Sequence, residues 1–562
     1  MTPSPTPTVI NGIPLAELLS SCIDACHSGC EVIRSVHRRS LLAADGDDDG
    51  DDDGDDDNSN TAITNAVQSA SIADVTSPPS TRETSDGSMT IPPSRQPLIA
   101  HTFKLSTSHN TIDPVTNCVV IDPRSALTEA DEASQAVILA CLRGCWGEVV
   151  NVGVPTDGSD KIIRRPRLWI VGEEDDTEAC LFNNDDGGGG DNGGAGGGGD
   201  DIDELFERYG VERPNEGGVV MNRNLVQPGL GIDTNQTSAD NQELIVFIDP
   251  LDGTREYIEN RIHNVQCLIG ITLNGVPIAG AVGLPFGSGS NTSDNNNNNK
   301  RDEDLIEVAY GWIMPQNCRE VDVDTINNSA YHMIASGIKH FDAKNKMPTA
   351  STITTATSDN NGLLSNLNDN DEEDDTLIIL SGDSQKPALQ ITMDCLENDV
   401  LRNSASSTAA ASVDKEMDST SATFFPYRKI ICGGCGNKIL YLGRRHQLIF
   451  KRKKLKRKLQ QESGSETTSD EPISIVGTIA ISPPGSSSWD TAAPSAVLLS
   501  LDPNALVTDL IGRPLVYNGV DLTNVHGVVV SSGDGAVKVH RELCNRLSRN
   551  EAFCSVIGVD NR

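Results

Sequence analysis

A layered α/β fold (α+β in the broad sense) is predicted by three observations. Short unbroken apolar runs of strand length, such as "LIVFI" from Leu244, alternate with longer segments whose apolar residues recur at helical spacing. One tight hairpin signal, Asn274-Gly275, stands between two apolar runs. Several strands or turns end on acids, and carboxylates there project into the crevice where ligands of open α/β sheets bind.

Leu15 to Val36 has the apolar spacing of an amphipathic helix. Residues 40–100 are rich in Asp, Ser, Thr and Pro and are expected to be a disordered acidic insertion. "ALTEADEASQAVILACL", from Ala126, reads as a second helix, and "RLWIV" as a short strand ending at Gly172. Residues 175–242 are largely low complexity and expected to be largely disordered. "VQCLIGITLNGVPIAGAVGLP" reads as strand, turn and strand. Further on, "TLIIL" is a strand, and "ICGGCGNKILYLG" a strand, a Gly-rich turn and a helix. "SIVGTIAIS" is a strand and "WDTAAPSAVLLSL" a helix. Residues 8–39 and 101–310 then form an N-terminal lobe, and 311–562 a C-terminal lobe that completes the site. Further insertions fall near 345–375, 403–423 and 451–472.

The net charge of −37, from 44 basic and 81 acidic residues, describes the insertions more than the folded core. Asp45–Asp57 holds ten aspartates, Asp175–Glu204 ten acids, and Asp369–Asp375 six. Such tracts bury too little apolar surface to offset chain entropy. "KRKKLKRK", Lys451–Lys458, reads as a solvated loop within an insertion, with a nuclear-import signal or nucleic-acid patch as the other readings. No run approaches the ~18 apolar residues of a membrane span. The 14 cysteines show no disulfide-like pattern. Together these predict a soluble, reducing, cytoplasmic setting without membrane or nucleic-acid partners. Cys22, Cys26 and Cys30 share helical spacing, and Cys432 and Cys435 form one CxxC; without a second ligand pair they read as unpaired structural thiols.

The chemistry lies in three acidic places: Glu173 and Glu174 in "WIVGEED", Asp249 and Asp252 in "DPLDGT", and Asp490 in "SSSWDTAAP". Clustered anions repel, and some would be forced to protonate. A hard divalent cation with oxygen ligands resolves the conflict, magnesium being the usual partner of carboxylate and substrate phosphate. Pro250 stiffens the turn so that the two aspartates converge, and Leu251 can offer its carbonyl. Gly253 permits the tight backbone, and Thr254 begins a helix. Each piece alone is ambiguous: taken singly, Asp490 reads as a plain helix N-cap.

In this order the three motifs resemble those of the inositol monophosphatase superfamily of magnesium-dependent, lithium-sensitive phosphatases. "FIDPLDGTREYIENRIHNVQCLIGITLNGVPIAGAVGLP" is similar to its 3'(2'),5'-bisphosphate nucleotidase branch, as are "GGCGNKILYL" and "SPPGSSSWDTAAP". The resemblance implies a fold of alternating helix and sheet layers and removal of the 3'-phosphate of adenosine 3',5'-bisphosphate. It extends to 3'-phosphoadenylyl sulfate and so to sulfur metabolism. It implies two or three Mg2+ ions held by Glu173, Asp249, Leu251 through its carbonyl, Asp252 and Asp490. Asp131, in "LTEAD", and Thr254 would orient and deprotonate the attacking water. Gly253, Thr254, Ser381, Gly434 and Lys438 would contact substrate; apart from the resemblance, Lys438 reads as a helix-surface lysine.

Two departures stand out. Ser125 replaces an acidic residue common in relatives. "LIILSGDSQK" lacks the branch's Thr-Arg-Ser-His segment, with Ser381 as the substitute and no histidine. Looser nucleotide recognition is therefore expected. Two other readings stay open: an inositol phosphate phosphatase of the same superfamily, and a catalytically silent scaffold acting through the acidic inserts. The presence of every implied carboxylate weighs against the scaffold. Neither the oligomeric state nor the preferred substrate is legible.

Overall fold

In this computed structural model, residues 9–10, 13–45, 101–103, 111–112, 119–120, 126–146, 168–174, 200–211, 243–287, 305–315, 331–342, 376–402, 427–462 and 477–559 are described. Most of the acidic insertions lie outside them. The chain divides into one unit of Met1–His37 with Ile99–Arg562, and a second of Arg38–Leu98, nearly all of it outside the described residues.

In chain order the elements are β1 (Val9–Ile10), β2 (Ile13–Pro14), α1 (Leu15–Asp45), β3 (His101–Phe103), β4 (Thr111–Ile112), β5 (Val119–Val120), β6 (Ala126–Thr128), α2 (Glu129–Trp146) and β7 (Trp169–Gly172). Then come α3 (Asp200–Tyr209), β8 (Leu244–Asp252), α4 (Thr254–Ile258), β9 (Gln266–Leu273), β10 (Val276–Leu284), β11 (Leu305–Pro315) and β12 (Tyr331–Asp342). The remainder is β13 (Leu377–Ser381), α5 (Pro387–Asp394), a π-helical turn (Cys395–Leu401), β14 (Tyr427–Ile431), α6 (Cys435–Glu462), β15 (Gly477–Ser482), α7 (Ser488–Leu501), β16 (Leu506–Thr508), β17 (Val528–Ser532), α8 (Asp534–Leu547) and α9 (Glu551–Val556).

Two sheets organise the first unit. One has the order β12-β11-β10-β9-β8-β7, antiparallel except for the parallel β7–β8 pair. The other has the order β14-β13-β15-β17-β16, with β14, β13 and β15 parallel. The apolar run of β8 explains the layering. Its residues alternate between two faces, and both faces are buried. Leu244, Val246 and Ile248 join the core with α1 and α2, whereas Ile245 and Phe247 join one shared with α6, α7 and the second sheet. β13 repeats the pattern: Ile378 and Leu380 face α6 and α7, and Leu377 and Ile379 face α5 and α8. The result is five alternating layers, helix, sheet, helix, sheet, helix.

Glycines bring the central layer close. Gly270 of β9 and Gly280 of β10 lie under α7, and a Cβ at either would come within 2.6 Å of the Ala493 backbone. At the hairpin tip Asn274 (φ 49°) and Gly275 (φ 80°) both take positive φ, the backbone of a type I′ turn.

Several elements differ from their expected bounds. Ala126–Thr128 is strand, paired with His101–Phe103, and the helix begins only at Glu129. α1 runs on to Asp45. Within 175–242 the structure contains α3, whose Phe206 is buried and whose Tyr209 hydroxyl donates to Glu129 at 2.8 Å. "KRKKLKRK" is not a loop: α6 continues through it to Glu462, since Lys, Arg and Leu are good helix formers and no Gly or Pro interrupts them. The expected lobe boundary after residue 310 falls inside β11; the chain changes sheet between Asp342 and Leu377. β1 to β5, β11, β12, β16, β17, α5, α8 and α9 had no counterpart in the sequence reading.

Candidate metal centre

The carboxyl ends of β7 and β8 meet those of β13, β14 and β15, and this meeting line gathers the acids. In a regular strand Asp249 and Asp252, three apart, would point to opposite faces. A bulge prevents it: Asp249 pairs with Leu268 but Asp252 with Gln266, so one extra residue lies on β8. Leu251 N–H donates to Asp249 Oδ1 at 3.0 Å and holds the bulge shut. Gly253 (φ 96°) then turns the chain into α4.

Asp490 arrives on α7, the helix that follows β15 of the second sheet. It is not the N-cap of α7, as its isolated reading suggests. Ser487 is the N-cap, Asp490 sits at the third helical position, and Ser487 N–H donates to Asp490 Oδ2 at 2.6 Å in a capping box. One oxygen each of Asp249, Asp252 and Asp490 lie within 4.8 Å of one another. Glu173 reaches the group because its N–H donates to Ile248 O at 3.0 Å, carrying the β7–β8 pairing one residue further. Glu174 is held by its backbone. Its N–H and carbonyl are both bonded by the Gln135 side chain.

The electrostatics follow. Burial pushes the Asp249 carboxyl well above the usual carboxylate range, and the charges of Glu173, Asp252 and Asp490 push it further. Burial also lifts Asp490, with Asp252 and Glu173 adding to it and the Ser487 N–H opposing. Asp252 is lifted to about 7, chiefly by burial; Lys438 and the Gly436 N–H pull it down while Glu256 pushes it up. Without a cation the group can be accommodated only by holding protons. An all-oxygen set of this kind fits a hard divalent ion such as magnesium.

The "GGCGNK" turn packs directly on Asp252. Gly436 N–H donates to Asp252 Oδ2 at 2.9 Å, and a Cβ on Gly434 (φ 66°) would lie 2.9 Å from the same oxygen. Lys438 is not a surface lysine: it is 5% exposed, and its Nζ donates to Gly434 O at 3.0 Å. Ser381 ends β13 with its hydroxyl buried and unbonded among the described residues, while its carbonyl accepts from Cys432 N–H at 2.9 Å. On the other flank Thr254 Oγ1 donates to Asp131 Oδ1 at 3.0 Å, and Asp131 Oδ2 accepts from Thr128 N–H at 2.7 Å and its hydroxyl at 2.5 Å. The structure thus gathers the predicted carboxylates in one place, with the Asp131–Thr254 pair and the Gly434–Lys438 turn on its flanks. Sequence reasoning missed Gln135 and the buried Glu256, against which Gly433 packs. Neither carries a local signal, since each acts through a long-range contact.

Residues 218–337 match the model of the inositol monophosphatase family. Over this segment, about a fifth of the chain, the sequence is similar to that family. It carries Asp249, Leu251, Asp252 and Thr254, while Asp131, Glu173 and Asp490 lie outside the matched residues. Among curated relatives the chain is 49% identical over 45 residues to human "3'(2'),5'-bisphosphate nucleotidase 1", covering 8% of this chain and 15% of that protein. It is 50% identical over 54 residues to the Dictyostelium discoideum protein of the same name, covering 9% and 17%. It is 30% identical over 76 residues to Xenopus tropicalis "Inositol monophosphatase 3", covering 14% and 21%. The matches thus span about a sixth to a fifth of those relatives' lengths. The solved inositol monophosphatase-II of Staphylococcus aureus aligns at 14% identity and a TM-score of 0.28, covering 74% of this chain and 80% of that one. Among the described residues, no helix is long and apolar enough to cross a membrane.

Proposed function

We propose that the chain is a magnesium-dependent phosphomonoesterase that removes the 3'-phosphate of adenosine 3',5'-bisphosphate, giving AMP and inorganic phosphate. 3'-Phosphoadenylyl sulfate is a second substrate. The observation that carries this reading is the convergence of Asp249, Asp252 and Asp490, all with raised carboxyl pKa values, at the meeting of two sheets. Glu173, Asp249, the Leu251 carbonyl, Asp252 and Asp490 would hold two or three ions. Bound magnesium supplies Lewis acidity, acidifying water and neutralising phosphoryl oxygens.

The remaining work belongs to the chain. Thr254 donates a hydrogen bond from its hydroxyl to the Asp131 carboxylate, which orients the Thr254 oxygen to accept one from the attacking water. The two hydrogen bonds from Thr128 fix the Asp131 carboxylate in that pose. Gly434 and Gly436 let the backbone approach Asp252 without a side chain between, and Lys438 places a positive charge beside it. The nucleotide assignment rests on the short stretches of close identity to bisphosphate nucleotidases and on this turn.

A second reading, hydrolysis of inositol phosphates, is favoured by "SGDSQK". There Asp383 pairs with Arg255 at 3.0 Å, and the segment carries no histidine to contact a nucleotide. A missing neutral hydrogen bond costs about 0.5–1.5 kcal/mol, roughly 2- to 12-fold, and should appear in KM more than in kcat. The test compares kcat/KM for adenosine 3',5'-bisphosphate and inositol 1-phosphate, then repeats both in Lys438→Ala. A higher value for the nucleotide, falling in the variant, is expected. A higher value for inositol 1-phosphate, unmoved by Lys438→Ala, selects the second reading. Activity should vanish in excess chelator, fail to return with calcium, and be inhibited by lithium.

A further inference from the structure

A second convergence of donor atoms lies on the far face of the first sheet. Cys26 and Cys30 stand one turn apart on the buried side of α1, and Cys267 comes from β9, 241 residues from Cys26. Their Sγ atoms all lie within 4.8 Å of one another, and all three residues are fully buried. Cys22, a turn earlier on α1, is equally buried but is not part of the group.

The surrounding backbone makes room for the sulfurs. Gly283 of β10 stands directly opposite Cys267 in the sheet. A Cβ there would lie 2.8 Å from Cys26 Sγ and nearer still to Cys30 Sγ. Gly29, inside α1, has its Cβ direction aimed at Ile138 and at Cys267 Sγ, 3.3 Å away. A glycine inside a helix or strand costs roughly 0.5–1 kcal/mol relative to alanine. Two of them are spent around one sulfur cluster, where ordinary apolar packing would favour a methyl group.

We propose that Cys26, Cys30 and Cys267 form a closed three-sulfur site for a soft d10 cation, Cu(I) foremost. Sulfur ligands select soft ions and discriminate against magnesium, so this site and the carboxylate centre would not compete. A fourth donor is not needed by Cu(I), unlike the tetrahedral zinc of structural sites. Each sulfur that binds as thiolate releases one proton to solvent, so two such bonds leave a cluster of net charge −1. Burial pushes the Cys30 thiol well above its ordinary range, and the buried Arg34 guanidinium nearby opposes that only in part. With every sulfur fully buried, loading would accompany folding.

The full chain should be expressed in copper-supplemented medium, purified anaerobically under reductant and dialysed against a chromogenic Cu(I) chelator. One copper per chain is expected to remain, with a near-ultraviolet sulfur-to-copper band and only sulfur neighbours in the copper X-ray absorption spectrum. Cys26→Ser with Cys267→Ser should weaken retention by no less than the roughly 10- to 100-fold that loss of a mere orienting partner costs. Cys22→Ser should retain copper as wild type does. Loss of all copper from the wild-type chain overturns the proposal. So do nitrogen or oxygen neighbours in its spectrum, a measurement independent of whether the serine variants fold. Equal retention by the double variant overturns it as well.

Discussion

Asp252 shows how one side chain joins stability to chemistry. Its carboxyl is lifted to about 7, so the folded metal-free protein holds a proton there that the unfolded chain releases near 4. A group with a raised folded value stabilises fully at low pH, and that contribution is lost as pH rises through about 4 to 7. Asp249 and Asp490 are shifted in the same direction. Melting of the metal-free protein should therefore fall between pH 5 and pH 8, and magnesium should reverse the fall. Asp252→Asn keeps the shape and the acceptor for Gly436 N–H but removes the charge. We expect it to abolish phosphate release while melting no lower than wild type in chelator at pH 7.5. Near-normal turnover would remove Asp252 from the ligand set.

Among the elements, α7 ties the site to the first sheet. Asp490 stands in its first turn, and the same helix lies on the glycines of β9 and β10. Gly280→Ala would place a methyl 2.6 Å from Ala493 O, a backbone atom that cannot rotate away. The helix must shift, costing about 1–3 kcal/mol as overpacking does. Asp490 would move with it. Denaturant unfolding and magnesium titration should both register the change. Gly144→Ala is the control, because among the described residues no atom outside its own helix backbone and its chain neighbours lies within 4 Å of its Cβ position. That substitution should be neutral or stabilise by up to ~1 kcal/mol. Unchanged stability in Gly280→Ala would contradict the close packing.

For the whole molecule the question is how so acidic a chain would admit the anionic substrate proposed for it. None of the 26 acids of the three acidic tracts belongs to α7, β8 or the "GGCGNK" turn; the few on described elements sit at the end of α1 and on α3. Residues 46–95 contain no periodic apolar pattern and none of the candidate ligands. Loop-closure entropy grows slowly with length. Deleting 46–95 should leave kcat/KM within about twofold, since loop-length changes of this kind cost well under 1 kcal/mol per doubling. A large loss of turnover would make that segment part of the site.

Local sequence was sufficient wherever a residue's role depends on its chain neighbours. The Asn274-Gly275 turn, the apolar run of β8, the strand–turn–helix around "GGCGNK" and the acids at strand ends were all legible, because turn chemistry and periodicity act over a few residues. The candidate carboxylates were legible for the same reason: each follows an apolar run or opens a helix. What only the tertiary structure decided depends on contacts between distant segments. The bulge that turns Asp249 and Asp252 to one face is a matter of pairing with β9, and Lys438 is buried because α6 packs over Asp252 rather than facing water. Cys26 and Cys30 read as plain core thiols at helical spacing until β9 brings Cys267 beside them. Spacing along a chain constrains side chains within one element, whereas the donor set of a site is assembled by the packing of several.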